Sequence, residues 1–166
     1  MLPLHAMRLQ NPELVLPEFK PGRVRAGDTP LHRGWLPVLA RVPLFATLPQ
    51  RHLRRIADLA ELRRFKQGTR MVRAGARGDA FYILLDGSAL VTTPAGHTRP
   101  LHEGDHFGEL ALLDGAPRAA TVAASTAVAA ARIERSAFLG LLEEEPAIWA
   151  GLAQGLVKIV RDLQQA

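Results

Sequence analysis

The 166-residue chain contains no cysteine, and this absence removes several classes of protein at once. Without a thiol there is no disulfide framework, no thiolate-bound metal or iron–sulfur cluster, and no cysteine nucleophile. The chain also lacks an apolar run long enough to cross a bilayer as a helix, which takes about 18 residues. Its N-terminal segment has no basic start, apolar middle and small-residue cleavage site of the secretory kind. These absences predict a cytoplasmic protein without a membrane span.

The formal net charge is +5, and much of the positive charge lies in one stretch. Residues 51–73 hold eight Arg or Lys against two acidic residues, Asp58 and Glu61. Such a stretch can face nucleic acid, acidic lipid or an acidic protein, or it can be a solvated helix face without a partner. The charge pattern alone does not decide among these and does not by itself indicate nucleic-acid binding.

Proline and glycine divide the chain into segments. Residues 1–34 hold five prolines and three glycines, so an irregular N-terminal arm is predicted there. The domain is predicted to occupy residues 35–166. It begins with a helical lead-in over residues 35–60, where Leu53, Ile56 and Leu59 recur at helical spacing.

Short apolar or alternating runs, separated by glycine-containing turns, fill residues 61–134. This pattern predicts an antiparallel β-barrel or jelly roll of about eight strands. The weakest strand prediction covers the alanine-rich residues 123–133, because alanine has low strand propensity. With helices on both sides, the predicted fold class is α+β, mainly β.

Two helices are predicted after the barrel, within residues 136–165. Ser136 is the expected N-cap of the first helix, and Pro146 is expected to start the second. Gly151 and Gly155 interrupt the second helix, and we expect them to permit close packing of a neighbouring segment. The apolar stripe of this helix comprises Ile148, Leu152, Leu156, Ile159, Val160 and Leu163.

A segment of mostly small and apolar residues, HFGELALLDGAPRAATV at 106–122, carries Glu109 and Arg118. Gly108 lets the backbone approach a ligand closely, since it has no Cβ. Arg118 is suited to a phosphate, and Glu109 to a hydroxyl such as those of a ribose. These residues indicate a pocket for a ligand with one negative charge and a sugar hydroxyl. The alternative is an ion pair between Glu109 and Arg118 at a corner of the barrel.

The stretch FGELALLDGAPRAATV resembles the phosphate-binding cassette of the cyclic nucleotide-binding domain family, found in kinase regulatory subunits, gated channels and bacterial catabolite-activator regulators. The resemblance extends over about residues 42–164 and includes PLFATL, GARGDAFYILLDGSALV and FLGLLEEEP. It implies that Glu109 binds the ribose 2′-hydroxyl and that Arg118 binds the cyclic phosphate. The other implied contacts are backbone groups of Gly108, Leu110 and Ala119, and the side chain of Ala120.

The resemblance also suggests which base is bound. Relatives that favour cGMP often have Thr or Ser after the arginine, whereas this chain has Ala119, which favours cAMP over cGMP. Candidate base contacts in the last helix are Asp162, Leu163 and Gln164.

The implied function is that of a regulatory protein that binds a cyclic nucleotide, needs no metal or other cofactor, and is not an enzyme. The sequence ends at Ala166 without a helix-turn-helix, so a stand-alone sensor without direct DNA binding is predicted. Rearrangement of the C-terminal helices on binding would signal to a partner protein, or through a homodimer formed by those helices.

Two other functions remain alternatives. A degenerate domain of this fold would act as a protein-interaction scaffold without a ligand. A cupin-like metalloenzyme would draw its ligands from His97, His102, His106 and Glu109. Cupin histidines are separated by one residue so that both point from the same strand face. His102 and His106 flank a Glu-Gly-Asp turn instead, which disfavours the metalloenzyme.

Overall fold

The computed structural model describes residues 36–165, so the predicted N-terminal arm lies outside the described residues. The described residues fall into two compact units. One comprises residues 61–135, and the other joins residues 36–60 to residues 136–165. Within 36–165, no helix is both long and apolar enough to cross a membrane.

Antiparallel strands build the unit of residues 61–135. They form two four-stranded sheets, with the orders β1-β8-β3-β6 and β2-β7-β4-β5. The prediction of a mainly β jelly roll of about eight strands is therefore confirmed. The strand bounds are β1 Glu61–Phe65, β2 Arg70–Val72, β3 Ala80–Asp86, β4 Ala89–Thr92, β5 Thr98–Leu101, β6 His106–Phe107, β7 Thr121–Ala124 and β8 Val128–Glu134.

The alanine-rich residues form strands in spite of their low propensity. They contribute β7 and β8, and β8 lies between β1 and β3, with backbone partners on both sides. Ala130 is fully buried in a core of side chains from both sheets. Small side chains suit this position, so sheet pairing and burial outweigh intrinsic propensity here. The other buried members of this core are Met71, Ala80, Tyr82, Leu84, Ala89, Leu101, Val122, Ala124 and Val128.

Helices make up the second unit. Residues 36–39 are helical, and a 3-10 helix spans Pro43–Phe45. The α-helices are α1 Gln50–Ala57, α2 Ala111–Asp114 (in the barrel unit), α3 Arg135–Glu144 and α4 Ala147–Gln164. The predicted N-cap Ser136 is wrong by two residues, because α3 begins at Arg135 and the cap position is therefore Glu134. The backbone N–H of Arg135 donates to the carbonyl of Asp79 at 2.8 Å, which satisfies one of the helix's first donors.

Aromatic and ionic contacts hold the helical unit together. Phe45 and Phe138 are fully buried, with ring centroids 6.1 Å apart. Arg55 of α1 pairs with Glu144 at 2.8 Å and also with Glu145. Part of the basic stretch at 51–73 is therefore used for pairing within the chain rather than left as an open charged surface.

The two helical glycines of α4 lie where another segment passes close by. A Cβ on Gly155 would collide with the backbone carbonyl of Leu44, and a Cβ on Gly151 with the side chain of Leu48. The expectation that these glycines permit close packing is confirmed.

The predicted apolar stripe of α4 is buried only in its first half. Ile148 and Leu152 are completely buried, whereas Val160 and Leu163 are 52% and 71% exposed. Leu156 and Ile159, which lie between these pairs, are half-buried. The apolar stripe therefore changes from buried at its start to exposed at its end.

We predict that Gly155→Ala lowers the free energy of unfolding by about 1–3 kcal/mol, because the added methyl meets a backbone carbonyl that cannot rotate away. Gly140→Ala in α3 is the matched control, since no atom lies within 4 Å of its added Cβ. It should stabilise the protein by up to about 1 kcal/mol through helix propensity. Urea unfolding of both variants measures the difference, and equal shifts would contradict the packing role.

Candidate functional site

The segment 106–122 is tied to the barrel at both ends. At its start, Phe107 of β6 pairs with Tyr82 of β3, and their rings stack with centroids 5.0 Å apart. At its end, the backbone N–H of Arg118 donates to the carbonyl of Ala76, and the N–H of Gly75 donates to the carbonyl of Arg118, both at 2.8 Å. The intervening loop and helix are therefore held over a defined stretch of the barrel.

Helix α2 lies between these ties and is a single turn. Gly115 ends it with a left-handed backbone (φ 62°), and its N–H donates to the carbonyl of Ala111 at 2.9 Å. Asp114 then accepts a hydrogen bond from the N–H of Ala116 at 2.9 Å. The sequence Asp-Gly-Ala thus turns the chain back so that Arg118 points into the barrel unit.

Gly108 packs directly against the arginine. Its φ of +85° favours glycine, and a Cβ there would collide with Nη1 of Arg118 and lie 2.9 Å from the carbonyl oxygen of Ala80. A glycine is required for the backbone to come this close to the guanidinium. The structure therefore brings two of the predicted site residues, Gly108 and Arg118, into contact.

Arg118 is a buried cation whose hydrogen bonds are incomplete. Its side chain is 6% exposed, and Nη2 donates to the carbonyl of Ala80 at 2.6 Å. Asp79 lies 3.7 Å away and is itself mostly exposed. Nε has no hydrogen-bond partner among the described residues. Burial lowers the pKa of Arg118, while Tyr82 and Asp79 oppose this shift.

Glu109 is held as an ionised acceptor. Nδ1 of His106 lies 3.3 Å from Oε2 of Glu109, and both side chains are about a quarter exposed. Burial by itself raises the pKa of Glu109, but the hydrogen bond and charge of His106, its own backbone N–H and the charge of Arg99 together lower it below its usual value. Glu109 thus has a partner other than Arg118, so the alternative of an ion pair between these two is wrong for the described structure.

The remaining predicted contacts of the segment lie around these two side chains. Leu110 precedes α2 and is 48% exposed, Ala119 is exposed, and Ala120 is half-buried before β7. Their implied backbone contacts to a ligand stay a prediction.

Arg132 is a site residue that the sequence reasoning missed. It lies opposite Tyr82 in the pairing of β8 with β3, and its Nε donates to the Tyr82 hydroxyl at 3.2 Å. Its Nη2 is 3.8 Å from Asp79, so this carboxylate lies between Arg132 and Arg118. The available signal was the spacing: Arg132 follows Val128 and Ala130 at two-residue intervals and therefore shares their inward face.

The candidate base contacts lie in the last turn of α4, in the other unit. Asp162, Leu163 and Gln164 are all exposed. Their role in contacting a base stays a prediction.

The four predicted metal-ligand candidates do not converge in the part of the chain that is described. Within residues 36–165, no group of three or more His, Cys, Asp or Glu side chains is arranged to hold a metal ion. His106 and Glu109 contact each other, while the backbone N–H of His102 donates to Asp105 at 2.8 Å.

Comparison with known sequences places this geometry in context. Residues 62–145 match the sequence profile of the family described as cyclic nucleotide-binding domain. The cAMP-dependent protein kinase regulatory subunit of Aspergillus fumigatus is 42% identical over 106 residues, which cover 63% of this chain and 26% of the relative. The one of Mycosarcoma maydis is 44% identical over 99 residues, or 57% of this chain and 19% of the relative. The matches thus span about a quarter of these relatives or less.

Solved structures share the fold. The N-terminal domain of a transcriptional regulator from Streptomyces coelicolor is similar with a TM-score of 0.67 and 26% identity, covering 77% of this chain and 93% of that one. A cyclic nucleotide-binding-like protein from Brucella abortus gives a TM-score of 0.58 and 30% identity, covering 65% and 97%.

We predict that Gly108→Ala lowers the free energy of unfolding by about 2–4 kcal/mol, because it adds a steric collision to a backbone conformation that disfavours a Cβ. Gly96→Ala is the matched control: it has a similar φ of +89°, but nothing lies within 4 Å of its added Cβ. In the control, the free energy of unfolding should fall only by the part that comes from backbone strain, about 1 kcal/mol. If chemical denaturation gives the same loss for both variants, the close packing of Gly108 on Arg118 contributes nothing.

Proposed function

The chain belongs to the cyclic nucleotide-binding domain family, and from that premise we propose that it is a sensor that binds cAMP through residues 106–122. Arg118 binds the cyclic phosphate, and Glu109 accepts a hydrogen bond from the ribose 2′-hydroxyl. Backbone groups of Gly108, Leu110 and Ala119 add hydrogen bonds, and Ala120 lines the pocket. The role is binding and regulation, without a catalytic step or a metal.

One observation carries the proposal: Arg118 is buried with unused hydrogen-bonding capacity. Its Nε has no partner among the described residues, and its carboxylate neighbour Asp79 is mostly in solvent. A cation in this condition is poorly compensated, so an anion that reaches it gains a strong, charge-assisted interaction. A cyclic phosphate has one negative charge, which matches one such arginine.

Two observations favour adenine over guanine. Ala119 follows the arginine and has no hydroxyl to offer to guanine. The matched relatives from Aspergillus fumigatus and Mycosarcoma maydis are regulatory subunits of cAMP-dependent kinases. In this proposal Asp162, Leu163 and Gln164 supply contacts to the base when the last helix closes on it.

We predict that the wild-type protein binds cAMP more tightly than cGMP and that Arg118→Gln weakens cAMP binding at least about thirtyfold, the factor that about 2 kcal/mol represents. The substitution removes the charge that pairs with the phosphate and keeps a polar side chain of moderate size. Isothermal titration calorimetry measures both affinities, and thermal unfolding shows that the variant is folded.

Arg70→Gln is the matched control, because Arg70 is an exposed arginine of β2. It should leave cAMP affinity unchanged. If folded wild-type protein binds neither nucleotide, the sensor function is wrong and the scaffold alternative is favoured. Equal affinity for cAMP and cGMP would remove only the preference for adenine.

We further propose that the C-terminal helices transmit the binding event to a partner protein or to a second copy of the chain. The support is the exposed apolar surface of α4, where Val157, Val160 and Leu163 are each more than half exposed. A ligand shifts a conformational equilibrium only through its different affinities for the two states. The helices will therefore rearrange only if the nucleotide binds the rearranged conformation more tightly than the original one.

Trp149 offers a direct test of this rearrangement. It lies in the first turn of α4, is 47% exposed, and is one of two tryptophans in the chain. In a Trp35→Phe background, we expect saturating cAMP to change the emission of Trp149. When Arg118→Gln is added, the change should need at least about thirtyfold more nucleotide, and its absence at the wild-type midpoint concentration controls for absorption by adenine. Calorimetric binding without any change in emission would contradict a rearrangement that reaches the first turn of α4.

A further inference from the structure

His106 has a fixed position beside the proposed ribose-binding carboxylate. It is the first residue of β6 and faces Ile83 in the pairing with β3. Its ring packs against that of Phe81, with centroids 5.9 Å apart and planes inclined at 50°. On its other side, Nδ1 lies 3.3 Å from Oε2 of Glu109. The imidazole is thus held between an aromatic ring and a carboxylate.

The charged groups near this histidine lie in its own segment and on β5. From β3 it meets Phe81 and Ile83, which carry no charge. Across the preceding turn, Asp105 accepts a hydrogen bond from the backbone of His102. From β5, the charge of Arg99 acts on Glu109. Among the described residues, Glu109 is the carboxylate that forms an ion pair with His106.

The contact gives the two carboxylate oxygens of Glu109 different roles. With Oε2 held by Nδ1, Oε1 is left to accept a hydrogen bond from a hydroxyl. A neutral imidazole carries a proton on Nδ1 in only one of its two tautomers, whereas a protonated imidazole carries one on both nitrogens. Protonation therefore ensures the donor that holds Glu109, and it adds a positive charge near a site for an anion.

We propose that His106 is a positioning residue for Glu109 and that its protonation increases the affinity of the site for a cyclic nucleotide. This inference rests on the proposed function. A cyclic phosphodiester and an arginine both keep their charge through the neutral pH range, so neither produces this pH dependence. The lowered pKa of Glu109 keeps the carboxylate ionised over the same range.

The test compares cAMP affinity by calorimetry at about pH 5.5 and about pH 8, between which a histidine changes its charge. We expect wild-type affinity to be about three- to tenfold higher at the lower pH, the gain from one charge-assisted hydrogen bond in a partly exposed site. His106→Gln retains a donor that does not titrate, so its affinity should not depend on pH. His106→Phe retains a ring against Phe81 without a donor, so its affinity should be lower and independent of pH.

His102→Gln is the matched control, because it removes an exposed histidine at the other end of the same turn. It should retain the wild-type pH dependence. Titration in two buffers with different ionisation enthalpies should show that wild type takes up part of a proton on binding near neutral pH, and that His106→Gln takes up none. A histidine with a purely structural role would not change proton uptake.

A second ligand tests whether His106 acts through Glu109. The 2′-deoxy analogue of cAMP lacks the hydroxyl that would donate a hydrogen bond to Glu109. Its affinity should therefore vary less with pH than that of cAMP. If the analogue shows the full pH dependence, the imidazole acts on the phosphate and the positioning role is overturned. The same holds if wild type binds cAMP with equal affinity at both pH values, or if His106→Gln keeps the wild-type profile. Absence of cAMP binding at any pH would overturn the sensor function together with this role.

Discussion

The burial of the Arg118 guanidinium is the constraint on which the site depends. Removing a full charge from water costs several kcal/mol unless other groups compensate it. Here the compensation consists of one carbonyl at 2.6 Å and a mostly exposed carboxylate at 3.7 Å. Gly108, without a Cβ, makes room for the guanidinium. The backbone hydrogen bonds to Ala76 and Gly75 fix the position of the Arg118 main chain. The local fold thus maintains a charge that the chain itself compensates poorly, which is the condition for strong binding of an anion.

The neighbouring charges strengthen this condition. Asp79 is within 3.7 Å of Arg118 and 3.8 Å of Arg132, so two cations share one carboxylate. Burial by itself lowers the pKa of Arg132, but the hydrogen bonds to Glu134 and Tyr82 outweigh this effect and raise the pKa above its usual value. Arg132 therefore stays charged. Under the proposed function, an anion that pairs with Arg118 would repel Asp79, and Arg132 gives that carboxylate a second partner. The network therefore reduces the cost of bringing a phosphate close to an existing negative charge.

Local signals in the sequence predicted much of this arrangement, and long-range pairing explains the rest. The turn glycines, the alternating runs and the segment around Gly108 and Arg118 are short-range features, and the structure contains them. The register that sets Arg132 against Tyr82 joins residues far apart in the chain, so the inward spacing of Arg132 gained meaning only with the sheet order. The partial burial of the apolar stripe of α4 also depends on long-range packing. A helical period shows which residues share a face, but it does not show how far a neighbouring segment covers that face.

The helical unit itself indicates which part of α4 can change its arrangement at least cost. Ile148 and Leu152 are completely buried, and exposing either would cost about 1.5–3 kcal/mol. At Gly155, Leu44 packs too closely to leave room for a Cβ, and Leu156 and Ile159 after it are only half-buried. Beyond it, Val160 and Leu163 are already more than half exposed, so moving them exposes little further apolar surface. Under the proposed function, a ligand with modest differential affinity would therefore suffice to shift the distal half of α4, whereas shifting the proximal half would require several contacts to break together.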